Sequence, residues 1–205
     1  IWLFTGGHSF RGTKDSELPV LKDGKNAPAA SLSMTLFTEG REQELRLELR
    51  DGRRSSVING VEKKTGSALV GKFCAVIFSP EHLLLVKEGP SRRRAFLDGA
   101  LCQSRPAFTR VLAHYNKALM QRNALLKDIP RHPELIDTLD VWDERLILFG
   151  TEVVQERAAF CKDLEPRAAE IYRGIAKNRE EITLSYAPSV SYTHLRAHET
   201  RGNLV

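Results

Sequence analysis

Long apolar runs are missing from this sequence. No stretch approaches the roughly 18 apolar residues that a membrane span needs, although 41% of its 205 residues are hydrophobic. Cysteine is scarce: Cys74, Cys102 and Cys161 are odd in number and far apart. No pair of them has the spacing of a metal site or a redox motif, so the expectation is three reduced thiols in a cytosolic protein. Ile1-Trp2-Leu3-Phe4 is apolar, but no basic stretch precedes it and no cleavage pattern follows, so it does not read as a signal peptide. An initiator Met is also missing, and the expectation is a start within the gene.

Catalytic constellations are missing too. There is no Ser/His/Asp arrangement, and the acids of Trp142-Asp143-Glu144 belong to a helix whose Trp lies in an apolar seam, so they read as a solvated face. A phosphate-binding loop needs G-x-x-x-x-G-K-[ST] between a strand and a helix. Residues 66–73 (GSALVGKF) place Gly66, Gly71 and Lys72 at that spacing. Phe73 replaces the hydroxyl that would hold Mg²⁺, and the segment leads into a strand, so the match is a coincidence. No run of aliphatics ending in Asp-Glu supplies a Walker B.

What is present is an asymmetry of charge. Residues 1–132 carry 22 Lys and Arg against 13 Asp and Glu, whereas residues 133–165 carry 3 against 9. A basic first part fits contact with nucleic acid; an acidic helix after it is expected to face solvent or a protein partner.

Periodicity divides the chain the same way. Leu32, Met34 and Leu36, then Leu45, Leu47 and Leu49, alternate with polar residues as strands do. Glu39-Gly40, Asp51-Gly52 and Asn59-Gly60 supply the positive φ of tight hairpins. Phe73–Phe78 (FCAVIF) reads as a buried strand ended by Pro80. From Ser91 the pattern is helical: a short helix over Arg92 to about Leu101, then one capped by Ser104 with Pro106 in its first turn. The stripe of that second helix is Phe108, Val111, Leu112, Tyr115, Leu119, Leu125 and Leu126. After Pro130 and Pro133 a long helix carries Leu135, Leu139, Trp142, Leu146, Phe149, Val153 and Phe160 in a heptad seam. Pro166 is expected to kink it or start a new helix, with Ile171, Tyr172 and Ile175 continuing an apolar face. These readings give an α/β chain: a β-rich part over 1–90 and an antiparallel helical part over 91–188.

The last stretch differs in kind. Ser191–Thr200 (SYTHLRAHET) has no periodicity and resembles a translated sequencing adapter, so 190–205 are set aside, together with the i, i+4 pair His194 and His198.

The most informative segment is Phe78–Asp98, FSPEHLLLVKEGPSRRRAFLD. It resembles the signature of the RecF family of bacterial recombination mediator ATPases. The matching residues are Pro80, Glu81, Leu85, Val86, Gly89, Pro90, Arg93, Arg94, Phe96, Leu97 and Asp98; Glu88 stands where the family usually has Gly. Ile1–Arg11, Tyr115–Lys127, Leu139–Arg145 and Ile171–Ile175 resemble other family stretches, which extends the likeness over about 1–188. The resemblance implies part of an ABC/SMC-type ATPase head, without its P-loop or Walker B strand, carrying a helical second lobe. Exposed strand edges and marginal solubility would follow. It also implies a cytoplasmic bacterial protein that binds single-stranded DNA and, with ATP, double-stranded DNA. Such a protein loads recombinase at gaps with RecO and RecR and forms an ATP-dependent homodimer. ATP and Mg would serve the parent protein, and no cofactor or metal is expected for this stretch. Ser9 and Arg11 are placed near nucleotide or a partner head. Arg92, Arg93 and Arg94 are candidate DNA contacts, with an Arg94–Asp98 ion pair as the plain structural alternative. Two rivals stand beside this reading: an SMC-like or Rad50-like head, and a non-enzymatic DNA- or protein-binding module.

Overall fold

Three dipeptides set the sheet. Glu39-Gly40, Asp51-Gly52 and Asn59-Gly60 all have positive φ at both positions, from 49° to 80°, the geometry of a two-residue turn whose twist matches the strands it joins. They connect β1 (Ala29–Thr38), β2 (Arg41–Arg50), β3 (Arg53–Ile58) and β4 (Val61–Lys63) into an antiparallel meander in chain order. In this computed structural model residues 1–7, 14–19 and 28–188 are described; Ser9, Arg11 and the 190–205 tail lie outside that set.

The period-2 pattern fixes which face is buried. Leu45, Leu47 and Leu49 of β2 are 0–2% exposed. Phe4 and Leu69 complete the cluster with Leu45 and Leu47, and Met34, Leu36 and Ile58 pack against it. Each such side chain contributes roughly 1.5–3 kcal/mol by burial. Leu69 arrives on a short 3-10 helix, Gly66–Leu69. The polar tie of this region is Arg54 in β3. Its Nε and Nη2 donate to the two carboxylate oxygens of Asp15, each at 2.6 Å, and Nη1 donates to the Gly7 carbonyl at 2.8 Å. The pair is 13% and 16% exposed.

Phe73–Phe78 differs from expectation. It is not a strand with both faces covered. Val76 is fully exposed and Phe78 81% exposed. Among the described residues its only ladder contact is one parallel bridge, Val70 to Phe73. The run is held from the side by Gln103, whose Oε1 accepts from the Ala75 N–H at 2.8 Å. A continuous apolar run reports that both faces favour burial; it does not report whether a neighbour is present to cover them.

The first helices are α1 (Leu84–Lys87) and α2 (Pro90–Ser104). α2 begins earlier than the apolar pattern indicates, because Gly89 caps it and Pro90 occupies its first turn. Ser104 is not the cap of the next helix: its hydroxyl donates back to the Ala100 carbonyl at 2.9 Å and closes α2. Pro106 opens α3 (Pro106–Asp128), as its fixed φ favours.

The chain divides into two compact units, one from Ile1 to Pro106 and one from Ala107 onward. In the second, α3 and α4 (Leu139–Ile175) run antiparallel. His114 stacks on Phe149, with ring centres 4.9 Å apart, and Arg122 pairs with Asp143. The deepest positions of α4 include Ile147, Gly150, Thr151, Val153, Arg157 and Cys161. Only Val153 of these lies in the expected seam: Gly150, Thr151 and Arg157 carry no hydropathy signal of burial, and Ile147 and Cys161 each sit one position after a seam residue, Leu146 and Phe160. Pro166 sits inside α4 without ending it. Ile171 and Ile175 are 64% and 75% exposed, so no apolar face continues there. The chain then turns at Lys177 and Asn178, both with positive φ, and runs back along α4. Tyr172 donates to Glu180 at 2.5 Å, the Leu184 N–H to Glu165, and Arg157 to the Tyr186 hydroxyl. The Glu180 contact holds the Tyr172 hydroxyl above its ordinary pKa.

All three cysteines are free, with Cys74 exposed and Cys161 buried. Burial raises the Cys161 pKa, which lowers its thiolate fraction. Titration with a thiol reagent at pH 8 is expected to label Cys74 first and Cys161 at least about tenfold more slowly. Equal rates would mean that α4 is not packed as described.

Candidate nucleic-acid interface

Pro80–Asp98 folds as a stair of short helices. A 3-10 helix (Pro80–Leu83) leads into α1, Glu88 ends α1 in extended conformation, and Gly89-Pro90 restart the chain as α2. Its first step is closed by His82, whose Nδ1 accepts from the Ser79 N–H at 3.0 Å. The side chain of Glu81 lies outside the described set.

Arg92 and Arg93 then fall in the first turn of α2 and Arg94 opens the second; a cation near this end opposes the helix dipole by roughly 0.3–1 kcal/mol. Two of them fold back and offset that cost. Arg92 pairs with Glu88 four residues before it. Arg93 donates from Nη1 to the carbonyls of Leu85 (3.1 Å) and Glu88 (2.9 Å), the orphan acceptors at the end of α1. Arg93 is therefore the latch between two steps of the stair. Glu88, the departure from the family pattern, is the partner of Arg92.

Arg94 is left over. It is exposed and makes no ion pair among the described residues, with Asp98 or any other acid. Phe96, two positions on and therefore on a different side of the helix, is 46% exposed, and Asp98 is half-buried. The exposed Arg94 guanidinium is the element of this surface suited to a phosphate backbone.

Residues 66–73 do not fit a nucleotide phosphate. Gly66 begins the 3-10 helix under the sheet. A Cβ on Gly71 would lie 2.3 Å from Pro106 Cγ, so this glycine is a packing residue. Phe73 follows in the place of a Mg²⁺-binding hydroxyl. No group of three or more metal-ligating side chains occurs among the described residues, and no helix there is long and apolar enough to cross a membrane.

No protein-family model matches the chain. Curated relatives do. The DNA replication and repair protein RecF of Agathobacter rectalis is 37% identical over 185 residues, covering 89% of this chain and 49% of that protein. RecF of Acetivibrio thermocellus is 37% identical over 193 residues, or 93% and 51%. A solved structure of the recombination mediator protein RecF with ATPγS, from the RecFOR pathway, superposes with a TM-score of 0.76 at 30% identity. It covers 85% of this chain and 47% of that one. The chain belongs to the RecF family. A second RecF structure, with ATP, superposes at 0.78 and 27% identity over 95% of the chain. The β-rich lobe and the antiparallel helical lobe are thus those of a RecF ATPase-like fold. The chain spans about half the length of the RecF relatives it matches.

Sequence reasoning reached the signature segment and its arginines. It missed the Arg93 latch and the Arg54–Asp15 tie. No local pattern signals either, since one is made to carbonyls and the other crosses 39 positions.

Proposed function

We propose that this chain serves DNA replication and repair as RecF proteins do, and that the start of α2 is part of its DNA contact. The observation that carries the second point is Arg94, exposed and unpaired among the described residues, in a first part with a clear excess of Lys and Arg. In this reading the intact protein binds single-stranded DNA and, with ATP, double-stranded DNA. It dimerises with ATP and helps RecO and RecR load recombinase at gaps in the bacterial cytoplasm. ATP and Mg would be held by a P-loop and Walker B that this stretch does not contain, so the chain alone should not hydrolyse ATP. Ser9 and Arg11 are proposed contacts to nucleotide or to a partner head.

Binding of a labelled single-stranded oligonucleotide, followed by anisotropy across a salt series, tests the DNA surface. Arg94→Ala should weaken binding severalfold at low salt and lower the salt slope by about 0.7, the share of one phosphate contact. Reversing the exposed Asp137 and Asp140 to Lys should leave affinity unchanged or raise it. An unchanged slope for Arg94→Ala, or a large loss on reversing the acids, would place the DNA elsewhere.

A further inference from the structure

We infer that the solvent face of α4 is a docking surface for a basic amphipathic helix of another protein. Its buried face points into the hairpin through Ile147, Gly150, Val153, Arg157 and Cys161. The opposite face should be polar in a helix with no further neighbour. It is not: Val141 is 52% and Leu148 49% exposed, and Ile136, just before the helix, is 57% exposed. Val141 and Leu148 are seven residues apart, so they stand two turns, roughly 10 Å, from each other on one line.

The rim of this line fixes the sign of the occupant. Asp137, Asp140, Glu144 and Glu152 flank it, and all four are exposed. Asp143 is spent on Arg122 within the hairpin. Among the described residues the cation of α4 near the line is Arg145, and its guanidinium is drawn aside over the Trp142 ring, 5.2 Å from the centre. Two apolar knobs two turns apart inside a four-acid rim are complementary to a helix with apolar residues at i and i+7 flanked by Lys or Arg. An acidic or neutral helix would leave the rim unmatched. DNA is repelled by the same charges, so this face and the α2 surface take different partners.

A designed 14-residue Leu/Lys amphipathic peptide, labelled for anisotropy, is the probe, with its Leu/Glu and Ser/Lys counterparts as controls. The full chain should bind the Leu/Lys peptide and neither control. Val141→Ser with Leu148→Ser should weaken binding about tenfold, as loss of a hot spot does. Asp140→Lys with Glu144→Lys and Glu152→Lys should do at least as much. The same number of reversals elsewhere, at Glu42, Glu62 and Glu181, should have no effect; circular dichroism confirms that each variant remains folded. Equal binding of the Ser/Lys peptide, or equal loss on reversing the distant acids, overturns the inference in favour of non-specific charge attraction. Self-association of the chain that the α4 reversals abolish would also overturn it, because the occupant would then be a second copy.

Discussion

Replacing Arg54 with Met should destabilise the first unit by about 1.5–3 kcal/mol, the scale of hydrogen bonds to a charged group, since the ion pair is part-buried. Asp15 would lose both Arg54 donors in a site where it is 16% exposed, and the Gly7 carbonyl would lose the Arg54 donor as well. Arg54→Lys should recover only part of this, since an ammonium cannot reproduce the fork that spans both carboxylate oxygens. Trp2 lies in the first unit and Trp142 in the second, so fluorescence can report them separately. In a Trp142→Phe background, urea unfolding followed at Trp2 should show the loss as a lower midpoint. In a Trp2→Phe background, the Trp142 transition should move little. A cost below about 1 kcal/mol would show the pair to be a surface contact.

The second large effect is expected at Gly71. Its φ of +79° is one that L side chains rarely adopt, and a Cβ there would meet Pro106 Cγ at 2.3 Å and Cβ at 3.1 Å. Gly71→Ala combines a strained backbone with overpacking, for a loss of about 2–4 kcal/mol. Lys72→Ala, at an exposed position, should stay within about 0.5 kcal/mol. A phosphate-binding loop would behave in the opposite way: the lysine would carry the ligand effect and MgATP would raise the midpoint of the parent chain. Stabilisation by MgATP that disappears in Lys72→Ala would revive 66–73 as a nucleotide loop.

How much of this was legible in the sequence depended on how far apart the deciding residues lie. The hairpins were, because a turn dipeptide and the alternation beside it are local and agree. The existence of the helix pair was, because prolines and apolar stripes mark it out; the buried face of α4 was not, since only Val153 of its deepest positions lies in the seam. The start of α2 was read two residues late, because the pattern of side chains says less about a first turn than Gly89-Pro90 do. Ser104 has the right chemistry for a cap and uses it on the wrong helix, a choice set by backbone geometry. Arg157 is 6% exposed on α4, and nothing in its neighbours announces a buried cation. The candidate interface was legible as a run of three arginines. Which of them is available was not: that required knowing that Glu88 and two carbonyls engage the first two.

The meander of β1 to β4 also carries a consequence for the order of folding. Every strand pairs with its neighbour in sequence through a two-residue turn, so each ladder closes a minimal loop. Hairpins of this kind form in roughly 1–10 μs. The Arg54–Asp15 tie spans 39 positions and has a larger closure entropy to overcome. The sheet should therefore be complete, with its leucine face gathered, before the N-terminal segment is drawn down onto it. Substitutions in the turns would then slow folding, whereas loss of the tie would chiefly speed unfolding.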